Sequence, residues 1–272
     1  MANSAIINVD GITLPNTIPQ VQYDPVISAT GAGAIGVWDA KNPKSWPSQA
    51  APASGANSWL NLVRGGASAT IPTTWTWQAQ GGFVRPGVAA TSIDLGAPDL
   101  STGSPGVVVS AWVKIPSVPT ALTPIAGRAQ STSAAVDNQF LLSIGADGKP
   151  RLDIMMLDAD GATIRYATLS GPNVITTGVH QIGFSVTFSA GTGSYALYLD
   201  GAQIAASTFP GAKLNPSTYS IALGDRRVGN GGGSTTAGYV YYRALPENLT
   251  ASGRTGAQVV AADWAAFNGK FS

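Results

Sequence analysis

The chain has 272 residues, 44% of them hydrophobic and only 11% charged, with 15 Lys and Arg against 14 Asp and Glu for a net charge of +1. Disorder is excluded, because it requires low hydrophobicity with high net charge, and no nucleic-acid partner is expected, because no run of Lys and Arg forms the basic stripe that phosphates require. One histidine (His180), one glutamate (Glu247) and no cysteine leave few groups for acid–base or thiol chemistry, so the chain is expected not to be an enzyme.

Residues 1–30 read as an extended arm. Ile6, Ile7, Ile12, Leu14, Ile18 and Val21 are spread among Pro15, Pro19 and Pro25, and no helical period survives prolines at that spacing. A short strand is expected at 5–9. Such an aliphatic arm packs on its own domain or docks on a neighbouring subunit, and those six residues are the expected assembly contacts. The first residues lack the basic and apolar regions of a signal peptide. No stretch approaches the roughly 18 apolar residues of a membrane span, so membrane insertion is not expected.

From Ala34 onward the chain reads as β structure, residues 31–250 forming one domain. Trp38, Trp59 and Trp112 coincide with strand motifs and are expected in the core. Trp46, Trp75 and Trp77 fall in Pro-, Thr- and Ser-rich segments where a ring can stand exposed, covering an edge or stacking on a sugar. The β-branched run at 107–115 is the central strand candidate. Phe140, Leu142 and Ile144 alternate with their neighbours, as do residues 182–188, Tyr195, Leu197 and Leu199, and Tyr219, Ile221 and Leu223, the pattern of half-buried strands. A further strand is expected at 239–243. Asp147-Gly148, Asp160-Gly161 and Asp200-Gly201 supply the positive-φ pairs that hairpin turns favour.

Three segments read as loops or turns: the Arg226–Arg227 doublet as a solvated turn, Gly229–Ser234 as a flexible loop, and Glu247 in a turn. Asn248-Leu-Thr250 is an N-glycosylation sequon, meaningful only in a eukaryotic secretory pathway. His180 is expected to be hydrogen-bonded packing. At the end, residues 251–272 form a helical segment: Ala257, Val260, Ala261, Trp264 and Phe267 share one face, Thr255 stands as N-cap and Gly269 as stop. The whole is an all-β, antiparallel two-sheet jelly-roll sandwich with an N-terminal arm and a short C-terminal helix.

The order of motifs carries a resemblance. Ser110-Ala-Trp-Val-Lys114 is followed by Ile125-Ala-Gly-Arg128, Phe140-Leu-Leu-Ser-Ile144 and Gly178-Val-His-Gln-Ile-Gly-Phe-Ser-Val-Thr187. Then come Tyr195-Ala-Leu-Tyr-Leu-Asp-Gly201, Ile221-Ala-Leu-Gly224 and Gly238-Tyr-Val-Tyr-Tyr-Arg-Ala-Leu245. This succession resembles the laminin-G-like, concanavalin A-like jelly roll. Trp38-Asp-Ala-Lys-Asn-Pro-Lys-Ser-Trp-Pro47 with Asn57-Ser-Trp-Leu-Asn-Leu62 is similar to the opening of such domains in tailed-phage virion proteins. The resemblance covers about residues 35–247.

What the resemblance implies is tempered by the residues. Calcium-binding relatives cluster acidic groups on rim loops, where this chain keeps only Asp94 in Gly87–Leu95, so no metal or other cofactor is expected. Glycosidases on this fold need two carboxylates flanking the bond; the nearest pair is Asp153 with Asp158 or Asp160. The expectation is therefore a non-enzymatic virion structural protein, a head decoration, fibre or baseplate component on the outer surface of the particle. It would be anchored by its arm to other virion proteins and form a homo-oligomer. The alternative is a carbohydrate-binding adhesion module recognising host surface glycans through Trp46, Trp75 and Trp77.

Overall fold

The computed structural model describes residues 24–27, 32–78, 80–87, 91–96, 100–101, 106–129, 137–227 and 237–271. The expected strand at 5–9, the arm residues Ile6, Ile7, Ile12, Leu14, Ile18 and Val21, and the loop 229–234 lie outside them.

Nine strands of five residues or more build the described part: β1 (Gly106–Ile115), β2 (Thr123–Arg128), β3 (Phe140–Ile144), β4 (Pro150–Leu157), β5 (Ile164–Ser170), β6 (Gly178–Ser189), β7 (Thr192–Leu199), β8 (Ala202–Pro210) and β9 (Val240–Asn248). They fall into two antiparallel sheets. Sheet A runs β8-β7-β6-β1-β9 and ends in the short strands Phe83–Val84 and Thr76–Trp77, with Trp38–Asp39 also paired to β9. Sheet B runs β5-β4-β3-β2 and continues through Ala222–Leu223, Ile93–Asp94, Ala69–Thr70 and Ser58–Trp59. The all-β sandwich is as the sequence predicts.

β1 shows why a strand can carry apolar residues on both faces, interrupted only by Ser110 and Lys114. Val107, Val109, Ala111, Val113 and Ile115 point into the core between the sheets, with Phe140, Leu142, Ile154, Phe184 and Leu197. Val108 and Trp112 point the other way, into a second core with Val259, Val260 and Phe267. Both faces are covered, so both parities are apolar.

The second core exists because two helices lie on the outer face of sheet A: α1 (Leu249–Ser252) and α2 (Gly256–Phe267). Thr255 caps α2, its hydroxyl accepting from Gln258 N while the Gln258 side chain accepts from Thr255 N, two otherwise orphaned donors satisfied at once. The buried face of α2 differs from the predicted one. Gly256, Val259, Val260, Asp263 and Phe267 are buried, whereas Ala257 and Ala261 are exposed. The buried Asp263, which accepts from Arg243 Nε, has rotated the face.

All three Asp-Gly pairs sit at hairpin tips. At β7–β8 both Asp200 (φ 51) and Gly201 (φ 81) are left-handed, the two-residue geometry that matches strand twist. Gly201 is also sterically required, since a Cβ there would stand 2.6 Å from Trp264 Cγ. The β6–β7 hairpin uses Ala190 (φ 48) and Gly191 (φ 75) in the same way, a turn the sequence reading does not single out. Glu247 corrects a sequence expectation: it lies in β9, buried, paired with Arg254. Of the expected Tyr219–Leu223 strand, only Ala222–Leu223 pairs.

Candidate functional site

The most heavily built polar constellation is a clasp under α2. Arg243 on β9 is fully buried. Its Nε donates to Asp263 on α2 at 2.7 Å, and its two terminal nitrogens donate to the Asp24 carboxylate at 2.5 and 2.9 Å. Asp39 stands 3.6 Å from the same guanidinium, and the Phe267 ring lies 4.0 Å from its carbon. Asp263 also accepts from Trp112 Nε1 and Gln181 Nε2, each at 2.7 Å. Burial works to discharge Arg243, but Asp263 and Asp24 outweigh it and raise its pKa above the ordinary value. Burial also raises Asp39, against the pull of Arg243. With its polar groups paired and water shut out, this clasp fastens residues 24–27 and α2 to sheet A. It is framework.

His180 belongs to a second framework knot. Its Nδ1 lies 2.8 Å from Asp200 Oδ2, and its Nε2 is 3.1 Å from the Thr176 carbonyl. Burial opposes the charged ring, but Asp200 and Thr176 outweigh that and raise the pKa. This is the hydrogen-bonded packing expected.

The three aspartates considered for hydrolysis are each committed elsewhere. Asp153, buried on the outer face of sheet B, accepts from Arg151, from the Tyr166 hydroxyl at 2.5 Å and from Thr168 at 2.8 Å. Asp158 pairs with Arg165. Asp160 accepts from the Thr163 hydroxyl and from the backbone of Thr163 and Ala162, which hold its carboxyl down to about 2. The doublet Arg226–Arg227 is half-buried and is not a solvated turn. The Arg226 carbonyl accepts from Ala129 N, and Arg227 lies 4.6 Å over the Tyr219 ring.

Two of the three candidate sugar-stacking tryptophans are corrected by the structure. Trp46 and Trp75 are each only 1% exposed, and Trp77 is half-buried. Phe83 packs edge-on against Trp46 at 4.9 Å and against Trp77 at 5.2 Å, while Trp75 meets Tyr241 at 5.6 Å. Their polar neighbours are turns that fold the rings inward, so Trp46 and Trp75 have no free face to offer. Trp38, Trp59 and Trp112 are buried, as expected.

The open concavity lies elsewhere, on the part of sheet A that α2 leaves uncovered. A cleft of about 820 Å³ runs over β6, β7 and β8 and is closed on one side by Arg254, Thr255, Gly256 and Ala257. Register builds its floor. Thr187 is opposite Ser194, and Ser194 is opposite Thr208, giving one row of exposed hydroxyls across three strands about 4.8 Å apart. The next row is Ser185, Ala196 and Ala206. Tyr198, whose hydroxyl bonds Ser185 at 2.9 Å, and exposed Gln203 stand beyond. Arg254 is held by Glu247, Nε donating at 2.9 Å. Gly256 lets the helix start close over the sheet, since a Cβ there would lie 2.3 Å from Ser185 Cβ. Among the described residues no carboxylate lines the cleft. No local pattern announces it, because Ser and Thr on the outward parity of a strand look like ordinary solvated positions.

Among the described residues no group of three or more His, Cys, Asp or Glu is placed to hold a metal, and no helix is long and apolar enough to cross a membrane.

Two antiparallel sheets packed face to face, with short helices on one outer face, define a jelly-roll sandwich. The chain belongs to the concanavalin A-like lectin/glucanases superfamily, whose laminin-G family matches residues 87–245. The Trp38–Leu62 opening, which carried the likeness to virion proteins, lies outside that match. No curated protein matches the chain in sequence. Among solved structures, a sialidase from Trypanosoma rangeli superposes with a TM-score of 0.53 at 13% identity, over 88% of this chain and 33% of that one. The binding domain of botulinum neurotoxin serotype D/C gives 0.57 at 8% identity, over 87% and 53%. Domain 4 of an extracellular arabinanase from Geobacillus stearothermophilus, in complex with arabinotriose, gives 0.47 at 20% identity, over 85% and 98%. This chain thus spans about a third of the sialidase's length, and the likeness is one of fold.

Proposed function

We propose that this domain binds carbohydrate, without catalysis, in the cleft over β6, β7 and β8. The observation that carries this reading is the lining: Thr187, Ser194, Thr208, Gln203 and Arg254 converge on one open groove. Each hydroxyl can donate and accept, the amide does both, and the guanidinium donates, which is the complement of a polyhydroxylated ligand. The groove has the volume of an ordinary small-molecule site, roughly 300–1,000 Å³. Membership of a lectin/glucanase superfamily supports the reading, and the cleft's lack of a carboxylate pair supports the lectin side of it. The test is a glycan array and calorimetry with the full chain, followed by Thr187→Val with Thr208→Val. These exposed substitutions keep side-chain shape and remove two hydroxyls. Binding should weaken at least about tenfold, while stability stays within roughly 0.5 kcal/mol, as for surface changes generally. Absence of any reproducible glycan binding by the wild-type chain would refute the proposal.

The setting we propose for this domain is the outer surface of a tailed-phage particle, with residues 1–23 as the anchor. One structural observation favours an anchoring arm: residues 24–27 are pinned to the domain through the Asp24–Arg243 pair, with Val26 and Ile27 buried. The aliphatic segment ahead of them therefore starts from a fixed point. Cutting at residue 23 spares Asp24. That truncation should fold and melt like the full chain but fail to incorporate into particles, and normal incorporation would rule the anchor out.

A further inference from the structure

We infer that the free edge of sheet A at β8 is the contact between two copies of this chain, paired strand to strand about a two-fold axis. The two sheets have four edges. A strand at an edge presents unpaired N–H and C=O groups, and proteins guard such edges by shortness, charge, bulges or cover. Three of the four here are guarded. Sheet A ends on one side in Thr76–Trp77 and sheet B in Ser58–Trp59, each only two residues long. The other edge of sheet B, β5, carries the exposed cation Arg165, paired with Asp158.

β8 is the exception. Ala202–Pro210 is nine residues long, ends the sheet order, and contains no charged residue. Among the described residues it pairs only with β7, and the other backbone hydrogen bonds leave it untouched. A bulge at Ile204, opposite Leu197 and Tyr198, guards the start of β8, whereas the run from Ala205 to Pro210 pairs in regular register and carries neither bulge nor charge. Its lone proline stands at the last position.

A second copy is the occupant this edge fits. In a two-fold antiparallel pair each residue meets its mirror position in the same strand. A charge near the axis would therefore lie beside its own copy, which is unfavourable; β8 has none at its centre or elsewhere. Ala205, Ala206 and Ser207 keep the centre small, so backbones can approach without side-chain collision. Two-fold dimers are the commonest closed assembly, and closure consumes the edge. The cleft runs along β8, so pairing would set two clefts side by side on one face, although the pairing argument does not depend on what the cleft binds.

The test is the mass of the full chain in solution, by light scattering and sedimentation, across micromolar concentrations. Wild type should run at twice the 27.6 kDa chain mass. Ala206→Lys, at an exposed position, should raise the dissociation constant at least about tenfold through like-charge apposition, and Ala206→Glu should do the same. Mixing the two variants should restore a dimer, a rescue that misfolding cannot imitate; Thr208→Lys, checked by an unchanged melt, provides a second variant. A wild-type monomer at every concentration overturns the inference. So does a dimer that Ala206→Lys leaves intact, or one abolished only by deleting residues 1–23.

Discussion

Arg243→Met should destabilise the domain by about 3–5 kcal/mol, the cost of breaking a buried ion pair by removing one partner. The cost comes from the carboxylates left behind. Arg243 is the cation shared by Asp24, Asp39 and Asp263, all nearly or wholly buried. Methionine fills much of the same volume but satisfies none of them. Asp263 keeps Trp112 Nε1 and Gln181 Nε2, whereas Asp24 loses both guanidinium bonds and Asp39, already raised by burial, loses the charge that opposed that shift. At roughly 2–4 °C per kcal/mol for a domain of this size class, the melt should fall by about 10 °C or more. Because Asp24 precedes the domain and Asp263 lies on α2, limited proteolysis should cut both ends of the chain sooner in the variant. A melt within 2–3 °C of wild type, on the same scale, would mean the clasp is much less stabilising than its geometry implies.

The clasp also marks where sequence reasoning stops. Local patterns were readable: the apolar run of β1, the alternation in β3, β6 and β7, and the Asp-Gly turns each follow from a few adjacent residues. The partners of Arg243 lie 219 and 20 positions away, and no local pattern announces such pairs. Asp263 looks like one more polar position on a helix surface, so the apolar periodicity runs through Ala257 and Ala261 instead. The fold instead spends that turn of α2 on a buried carboxylate. β8 is illegible in the sequence for a different reason. Its exposed Ala, Gln, Ser and Thr carry no alternation of polarity, since an edge strand with one open face has little to bury. The cleft inherits that blindness, being built from outward residues of three strands that only register brings into a row.

Trp75→Ala should cost about 3–5 kcal/mol of stability, as for a large buried aromatic, while leaving ligand affinity of the folded fraction unchanged. Trp75 is 1% exposed, its ring meets Tyr241 edge-on at 5.6 Å, and a Cβ on Gly224 would already lie 3.2 Å from it. Truncation therefore opens a cavity in the core and removes no surface that a ligand could touch. Trp46→Ala should behave alike, since its ring packs on Phe83 and its Nε1 donates to the Ala50 carbonyl at 2.9 Å. Trp77→Ala, half-buried, should cost less. The comparison separates two accounts of binding that a single loss-of-function assay would confuse. If tryptophans were the recognition surface, Trp77→Ala would abolish glycan binding with little thermal penalty. If the hydroxyl row over β6, β7 and β8 recognises the ligand, the three variants should rank by melting temperature alone, and only Thr187→Val with Thr208→Val should dissociate affinity from stability.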